Sequence, residues 1–249
     1  MGFTPTELFI CSLCHGTAAR TWLLYFVSSR ATFYNTSDGL GTPTGACGYL
    51  EYGRTINYAK VTGVSSALYR GGLGCGACYQ VRCKLPSLCT TSGVTVVVTD
   101  YGEGDRTDFI LSNRGYTGMA RAGAVNKLVS YGVVPVEYQR VSCQYPGNNI
   151  KVKVLESSRF PDYLALTFLY VGGKNDITDV QVWQPHSHQW TGMRRSYGAV
   201  WDLPNPPTGP ITIRIYVTGS AGNEWVKLNG VIPRRWRVGA AYDTGLQLS

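Results

Sequence analysis

The chain has 249 residues and a formal net charge of +8, with 44% hydrophobic and 15% charged residues. It is too apolar for a disordered protein, and its 30 Gly and 12 Pro are typical of a turn-rich, all-β soluble protein. Residues 1–147 carry 12 Lys/Arg against 8 Asp/Glu, and residues 148–249 carry 11 against 7, so each half is +4. Because no basic run stands out, we expect no nucleic-acid partner; an evenly basic surface suits acidic polysaccharide or another anionic matrix.

The N-terminus predicts a secretory signal peptide over residues 1–29, although its signal is weak because the apolar run Trp22–Val27 is short. Cys11, Cys14 and His15 match the C-x-x-C-H spacing of c-type haem attachment. We interpret them as part of a removed leader, because nothing later in the chain supports a haem pocket. No stretch is long and apolar enough to span a bilayer, so we expect no membrane partner.

The remaining six cysteines lie between residues 47 and 143, and none follow. An even set confined to one half indicates a disulfide framework for that half, in an oxidising compartment. The alternative is a zinc site built from Cys75-x-x-Cys78 with Cys83 and Cys89. We disfavour it because no second C-x-x-C pair or His follows at zinc-finger spacing.

From Ala31 onward, short β-type runs alternate with Gly-rich turns. The clearest runs in the first half are Cys78–Lys84, Val94–Asp100, Asp108–Ser112 and Val136–Cys143. Ser112 can cap a helix over Asn113–Ala120, and a second helix is predicted over Ala124–Tyr131. The pattern otherwise favours a barrel or a sandwich.

A turn cluster at Tyr145–Asn149 has no cysteine beyond it, and we place the domain boundary there, between domains 30–146 and 149–249. Alternating apolar patterns restart after it. They cover Ile150–Leu155, Tyr163–Tyr170, Ile177–Trp183, Ile211–Thr218 and Trp225–Leu228. This spacing is typical of an antiparallel sandwich.

Several motifs agree in order and spacing with one known pattern. They are ATFY (31–34), GACGY (45–49), GCGACYQVRCK (74–84), VTVVVTD (94–100), RVSC (140–143), PDYLAL (161–166), QWTGMRRSYGAVWDLP (189–204) and GPITIRIYVTGS (209–220). Over essentially all of 31–249 the chain resembles the expansin family, and most of all its plant expansin-like B branch. The resemblance implies a double-psi β-barrel related to family-45 endoglucanases, followed by an immunoglobulin-like β-sandwich carbohydrate-binding domain.

The resemblance also implies the cystine pairs Cys47–Cys75, Cys78–Cys143 and Cys83–Cys89. Six cysteines allow 15 pairings, and the residues alone leave that choice open.

The stretch TDYGEGDRTDFILS (99–112) holds four carboxylates, which are Asp100, Glu103, Asp105 and Asp108. An inverting glycosidase needs two carboxylates about 6.5–9.5 Å apart across the sugar. Against the expansin pattern, Thr99-Asp100 matches a strand end, but Ile110 stands at the family's acid position and Asp108 at that of a His. Because strands alternate faces, we predict that Asp108 shares the side of Ile110, about 6–7 Å along.

That displacement disfavours hydrolysis, since proton transfer needs hydrogen-bond distance to the glycosidic oxygen. Asp108 is then a displaced carboxylate that still contacts sugar hydroxyls, or else the whole segment is a solvated acidic loop.

Thr32 and Tyr34 match the family's groove-lining positions and, as i and i+2 on one strand, share a face. Core packing is the alternative for Tyr34. Asp100 is the best remaining acid, or a turn-stabilising residue after a strand. We assign no catalytic residue; Thr32, Tyr34, Asp100 and Asp108 are candidates for a vestigial groove.

Exposed coplanar aromatic rings bind the flat C–H faces of sugars. Tyr163 and Tyr197 match the family's surface aromatic platform, and Trp190, in a polar context, is a third candidate for polysaccharide binding. We interpret Trp183 and Trp201 as sandwich core.

Asn35-Thr-Ser37 is a glycosylation sequon, which would decorate the barrel of a secreted protein. The hypothesis is therefore a secreted, extracellular cell-wall protein that binds cellulose or xylan and loosens plant walls without hydrolysis. The alternatives are a binding-only wall lectin or defence protein, and a weak endoglucanase using Asp100 and Asp108. We expect a monomer with no cofactor and no metal.

Overall fold

The computed structural model describes residues 26–34, 36–104, 106–219 and 222–248. Within these ranges the chain forms a six-stranded barrel followed by a sandwich of two sheets. The all-β fold class predicted from the sequence is therefore confirmed. Most of the predicted leader, including Cys11, Cys14 and His15, lies outside the described residues, as do Asn35 and Asp105.

The barrel closes in the order β1-β5-β2-β4-β3-β6. Its strands are β1 Val27–Tyr34, β2 Val61–Val64, β3 Cys78–Cys83, β4 Val94–Tyr101, β5 Phe109–Ser112 and β6 Val134–Val141. The pairs β1–β5 and β2–β4 are parallel and the others antiparallel. Closure pairs every strand on both sides, so the barrel presents no open sheet edge.

Among the described residues, four short α-helices lie around the barrel. They are α1 Glu51–Thr55, α2 Ser66–Tyr69, α3 Asn113–Thr117 and α4 Val125–Val129. The Ser112 side chain accepts a hydrogen bond from the Gly115 amide, 3.0 Å away, which is the cap predicted from the sequence. Among the described residues, no helix has the length and apolarity needed to cross a membrane.

The inside of the barrel is filled by alternate residues of its strands. Phe109 and Leu111 of β5 point inward and are fully buried, whereas Ile110 between them is half-buried on the outer side. Disulfides join Cys47 to Cys75, Cys78 to Cys143 and Cys83 to Cys89, the pairs that the resemblance implied.

The last barrel strand ends at Val141 and the first sandwich strand begins at Lys151. The five-stranded sheet, in order β11-β12-β8-β7-β15, contains β7 Lys151–Val154, β8 Tyr163–Leu169, β11 Arg194–Tyr197, β12 Val200–Pro204 and β15 Ala241–Asp243. The four-stranded sheet, in order β10-β9-β13-β14, contains β9 Asp176–Gln184, β10 Gln189–Gly192, β13 Ile211–Gly219 and β14 Gly222–Ile232.

The inner faces of the two sheets form the second core. Trp201 belongs to it and is only 4% exposed, but Trp183 does not, so its interpretation as core was wrong. Val180 and Val182 are the buried residues of β9, and strand alternation therefore turns Trp183 to the outer face.

The barrel and the sandwich are docked through an ion-pair cluster. Both oxygens of Asp176, at the start of β9, accept hydrogen bonds from Arg70 at 2.7 and 2.9 Å, and Oδ1 also accepts one from Arg140 at 2.7 Å. Arg70 and Arg140 belong to the barrel. Burial opposes ionisation of Asp176, but the two guanidiniums outweigh it and lower the pKa of that carboxyl.

Backbone hydrogen bonds reinforce this docking. The amide of Cys143 donates to the carbonyl of Gly172 at 2.7 Å, and the amide of Ala199 donates to the carbonyl of Cys47 at 3.0 Å. Each bond joins a backbone group of the barrel domain to one of the sandwich domain. The two domains are therefore held together by backbone hydrogen bonds as well as by ion pairs between side chains.

We expect Asp176→Asn to lower the free energy of unfolding by about 2 kcal/mol, the usual value for hydrogen bonds to charged groups. Because the pKa of Asp176 is lowered on folding, its stabilisation is full well above the unfolded value of 3.8 and is lost as pH falls through the folded value. Urea unfolding at a series of pH values measures this.

The matched control is Glu224→Gln, an exposed residue of β14. A difference between wild type and Asp176→Asn that did not change between about pH 6 and pH 2.5 would contradict the role given to the ion pair.

Candidate functional site

Four residues form a row across the outer surface of the barrel. Thr32 of β1 lies opposite Ile110 of β5, Ile110 lies opposite Gly63 of β2, and Gly63 lies opposite Asp100 of β4. Neighbouring strands are about 4.8 Å apart, so the positions of Ile110 and Asp100 are separated by about 10 Å. Gly63 between them has no side chain and is buried, and we refer to this row of four positions as the groove.

Asp100 joins this row because β4 is irregular. Val98 lies opposite Thr62, and the next pair is Asp100 with Gly63, so Thr99 is the extra residue of a bulge. Without the bulge, Asp100 would lie two residues after Val98 on the same face of the strand and would point into the barrel, as Val98 does. The extra residue reverses that alternation and turns the carboxylate outward.

The carboxylate of Asp100 is anchored through one oxygen. Its Oδ1 accepts hydrogen bonds from the amides of Ala46 at 2.6 Å and Tyr101 at 2.8 Å. Gly45 permits this approach, because a β-carbon there would stand 3.4 Å from the Asp100 side chain and 2.6 Å from the carbonyl oxygen of Thr99. Within the described part of the chain, Oδ2 has no such partner and is the oxygen placed to meet a ligand.

Tyr34 lies two residues beyond Thr32 on the same strand face. Its hydroxyl is buried and has no hydrogen-bond partner within the described ranges. Burial and the nearby charge of Asp100 raise the pKa of Tyr34 well above the ordinary value, so the phenol is neutral. The hydroxyl of Thr32 already donates to the carbonyl of Gly132 at 3.0 Å.

Two further aromatic residues flank Asp100. The rings of Tyr69 and Tyr101 are 5.2 Å apart, and Tyr101 is 43% exposed. The Tyr69 hydroxyl donates to the carbonyl of Ala46 at 3.1 Å, and burial together with Asp100 raises its pKa. We did not predict either residue, because neither belongs to a motif; adjacency of Tyr101 to Asp100 was the only available signal.

Both carboxylate oxygens of Asp108 already have hydrogen-bond partners within the protein, unlike those of Asp100. Its Oδ2 accepts a hydrogen bond from the hydroxyl of Ser29, and its Oδ1 from that of Ser65, both at 2.6 Å. These bonds tie β1 and the end of β2 to the start of β5. Glu103, the neighbouring acid, is exposed and accepts from the amide of Ser66 at 3.2 Å; the hydroxyl and amide of Ser66 lower its pKa. Both acids therefore have structural partners.

Tyr163 and Tyr197 both lie on the five-stranded sheet of the sandwich. Tyr163 opens β8, and its hydroxyl donates to Asp202 at 2.7 Å. Asp202 is 2% exposed and also accepts two hydrogen bonds from Arg194, at 3.0 and 2.6 Å. The hydrogen bond to Asp202 raises the pKa of Tyr163 and fixes the direction of its ring.

Tyr197 connects this face to the barrel. It is 53% exposed, and its ring lies against Gly48, where a β-carbon would be 2.9 Å from Cε2 of Tyr197 and 2.5 Å from Val200. Gly48 also has a φ of +76°, which side-chain-bearing residues rarely adopt. The segment 45–48 therefore contacts Asp100 at one end and Tyr197 at the other. It links the groove to the tyrosine face, by which we mean the outer side of the five-stranded sheet that carries Tyr163 and Tyr197.

Trp190 is not part of that surface. It lies on β10 of the opposite sheet, paired with Trp183, and its ring is 5.3 Å from the Trp183 ring. The guanidinium of Arg214 lies 4.4 Å from the centre of the Trp190 ring and 4.2 Å from that of Trp225. The three candidates for polysaccharide binding are thus divided between two faces, with the two tyrosines on one and Trp190 on the other.

Comparison with known proteins identifies the class. A model described as the expansin C-terminal domain matches residues 150–233, and one described as lytic transglycolase matches residues 61–138. Expansin-like B1 of Arabidopsis thaliana is 54% identical over 90% of both chains. Expansin-like B1 of Oryza sativa subsp. japonica is 45% identical over 90% of this chain and 88% of that protein. The chain belongs to the expansin family.

Two solved structures share the fold. The apo expansin of Clavibacter michiganensis superposes with a TM-score of 0.66, covering 90% of this chain and 98% of that one at 23% identity. A point mutant of the same protein, in complex with cellohexaose, gives a TM-score of 0.67 at 22% identity over the same shares.

We expect Asp108→Ala to lower the free energy of unfolding by about 2–3 kcal/mol, because two hydrogen bonds to a charged acceptor are lost. Asp108→Asn keeps one acceptor oxygen and should cost about half of that. Binding of the folded variants to a soluble β-glucan should match wild type. Urea unfolding and affinity electrophoresis measure the two effects.

Weaker glucan binding by a folded Asp108→Asn protein would instead place this carboxylate in the binding groove.

Proposed function

We propose that this protein binds an extended wall polysaccharide, of the cellulose or xylan type, along the barrel groove and the tyrosine face, and loosens the wall without hydrolysis. The observation that carries the proposal is that the segment 45–48 contacts both Asp100 in the groove and Tyr197 on the tyrosine face. Binding of cellohexaose by the Clavibacter michiganensis expansin supports a glucan as the ligand class.

The groove supports binding rather than bond cleavage. Inversion needs an acid that protonates the leaving oxygen, facing a base that activates water. Asp100 is one carboxylate of the row, but Ile110 occupies the position two strands away and has no proton to give. Asp108, the other candidate acid, is held by Ser29 and Ser65. Asp100 can still accept hydrogen bonds from sugar hydroxyls through Oδ2, since the amides of Ala46 and Tyr101 bind only Oδ1.

Loosening then follows from competition. Chains in a wall are held to one another by hydrogen bonds between hydroxyl groups and by contacts between their flat faces. A protein that offers hydrogen bonds in the groove and stacking on Tyr163 and Tyr197 replaces both kinds of contact at once. The free energy of binding offsets the cost of separating the chains, and no covalent step is needed.

We further propose domain bounds of 30–146 and 149–249, a cleaved leader over 1–29 and glycosylation at Asn35. Residues 27–29 begin β1 in the structure, so cleavage at the end of that leader would shorten this strand. Three disulfides support an oxidising, extracellular location in the wall.

The test is extension of isolated, heat-inactivated plant walls under constant load, with purified protein at mildly acidic pH. We expect wild type to extend the walls above the buffer control without releasing new reducing ends. Tyr163→Ala with Tyr197→Ala should weaken wall binding about tenfold or more, since each stacked ring contributes about 1 kcal/mol, and should abolish extension.

Trp225→Ala removes a 38%-exposed ring of the opposite sheet and is the matched control, expected to behave as wild type. Binding without extension by folded wild-type protein would mean a binding-only wall protein. New reducing ends that disappear in Asp100→Asn would mean an endoglucanase.

A further inference from the structure

A second cleft lies in the sandwich, apart from the groove. Its volume is ≈ 400 Å³, and Phe160, Pro161, Pro206, Arg234, Arg235 and Trp236 line it. The walls come from the turn before β8, the loop after β12 and the turn after β14. Two of these walls carry prolines, Pro161 and Pro206, whose fixed backbone torsion φ limits the conformations of those segments.

The floor of the cleft is aromatic. Phe160 is 51% exposed although it is a large apolar side chain. Its ring centre is 5.0 Å from that of Trp236 at an interplanar angle of 79°, so the edge of one ring meets the face of the other. Trp236 is 4% exposed and belongs to the sandwich core, which anchors Phe160. A fixed, exposed ring face is the surface on which a pyranose stacks.

The rim of the cleft is cationic. Arg234 and Arg235 are exposed, and among the described residues neither forms an ion pair. Of the nearby acids, Glu156 is paired with Lys153 at 3.1 Å. Asp162 follows Pro161 along the chain but does not line the cleft. Two unpaired guanidiniums beside an apolar floor attract a carboxylate, which a guanidinium can bind through two parallel hydrogen bonds.

We infer that this cleft binds uronic-acid-containing polysaccharide, with a sugar ring stacked on Phe160 and its carboxylate bound by Arg234 and Arg235. Each half of the arrangement selects a different property of the ligand. The ring selects a pyranose over a polyanion without sugar faces, and the arginines select a charged sugar over a neutral glucan. This inference does not rest on the proposed function, since a protein that loosens nothing can still bind uronate here.

The cleft adjoins the tyrosine face. Phe160 and Tyr163 lie in one turn, and the guanidinium of Arg159, the residue before Phe160, is 5.9 Å from the centre of the Tyr163 ring. A neutral chain on the tyrosine face and an acidic chain in the cleft would therefore meet at this turn. The protein would contact two classes of wall polymer at neighbouring positions.

Affinity electrophoresis of the full chain in gels that contain polygalacturonate tests the inference. We expect retardation of wild type, and about tenfold weaker binding when the polymer is fully methyl-esterified, because esterification removes the charge that the arginines bind. Arg234→Gln with Arg235→Gln should weaken binding about tenfold, and Phe160→Ala several-fold. Migration in a neutral soluble β-glucan should be the same for wild type and these variants.

The matched control is Arg114→Gln with Lys127→Gln, which removes two exposed positive charges from the barrel and should leave retardation unchanged. An equal loss of retardation in this control would overturn the inference, because the net charge of the protein would then explain the binding. Polyacrylate, a polyanion without sugar rings, bound as tightly as polygalacturonate, with no effect of Phe160→Ala on polygalacturonate binding, would overturn it in favour of general polyanion binding. Absence of retardation of folded wild type would also overturn it, whatever the wall-extension assay gives.

Discussion

The position of Cys47 is the constraint on which the candidate site depends. Its side chain is fixed by the disulfide to Cys75, its amide donates to the carbonyl of Thr99, and its carbonyl accepts from the amide of Ala199 in the sandwich. The residue before it, Ala46, donates to Asp100. One short segment therefore sets the carboxylate in the groove, the contact with the second domain and, through Gly48, the place of Tyr197.

The groove resembles a site with two facing carboxylates, but Ile110 stands where the expansin pattern has an acid. Four strands still present a row of outward positions, and a bulge still turns Asp100 into it. Ile110 alters the chemistry and leaves the shape, because an isoleucine on the outer face of β5 disturbs neither the barrel interior nor the strand pairing. Ile110 therefore leaves Asp100 as the one carboxylate of this row.

Much of the fold could be read from the sequence, because alternation and turns are local signals. The strands, the Ser112 cap and the existence of two β-domains are of this kind. The faces of particular side chains were harder to predict. Trp183 and Trp190 alternate as strand residues should, but nothing local says which sheet a strand joins. The outward turn of Asp100 depends on a bulge against β2, and a partner strand is not visible from β4 alone.

The role of Asp108 failed to emerge for the same reason. Sequence alternation placed it beside Ile110, whereas its hydrogen-bond partners, Ser29 and Ser65, are brought to it by two other segments. The ion pairs of Asp176 with Arg70 and Arg140 join residues more than thirty positions apart, so no local sequence pattern predicts them.

The close contact at Gly198 has a mechanical consequence. A β-carbon there would lie 2.7 Å from the Cα of Cys47, and the residue has a φ of +48°, so the two domains meet backbone to backbone. At this contact the two backbones touch directly, and no side chain lies between them that could change rotamer. A rotation of the sandwich against the barrel at Gly198 would therefore have to break this backbone contact and the hydrogen bond beside it, from the amide of Ala199 to the carbonyl of Cys47.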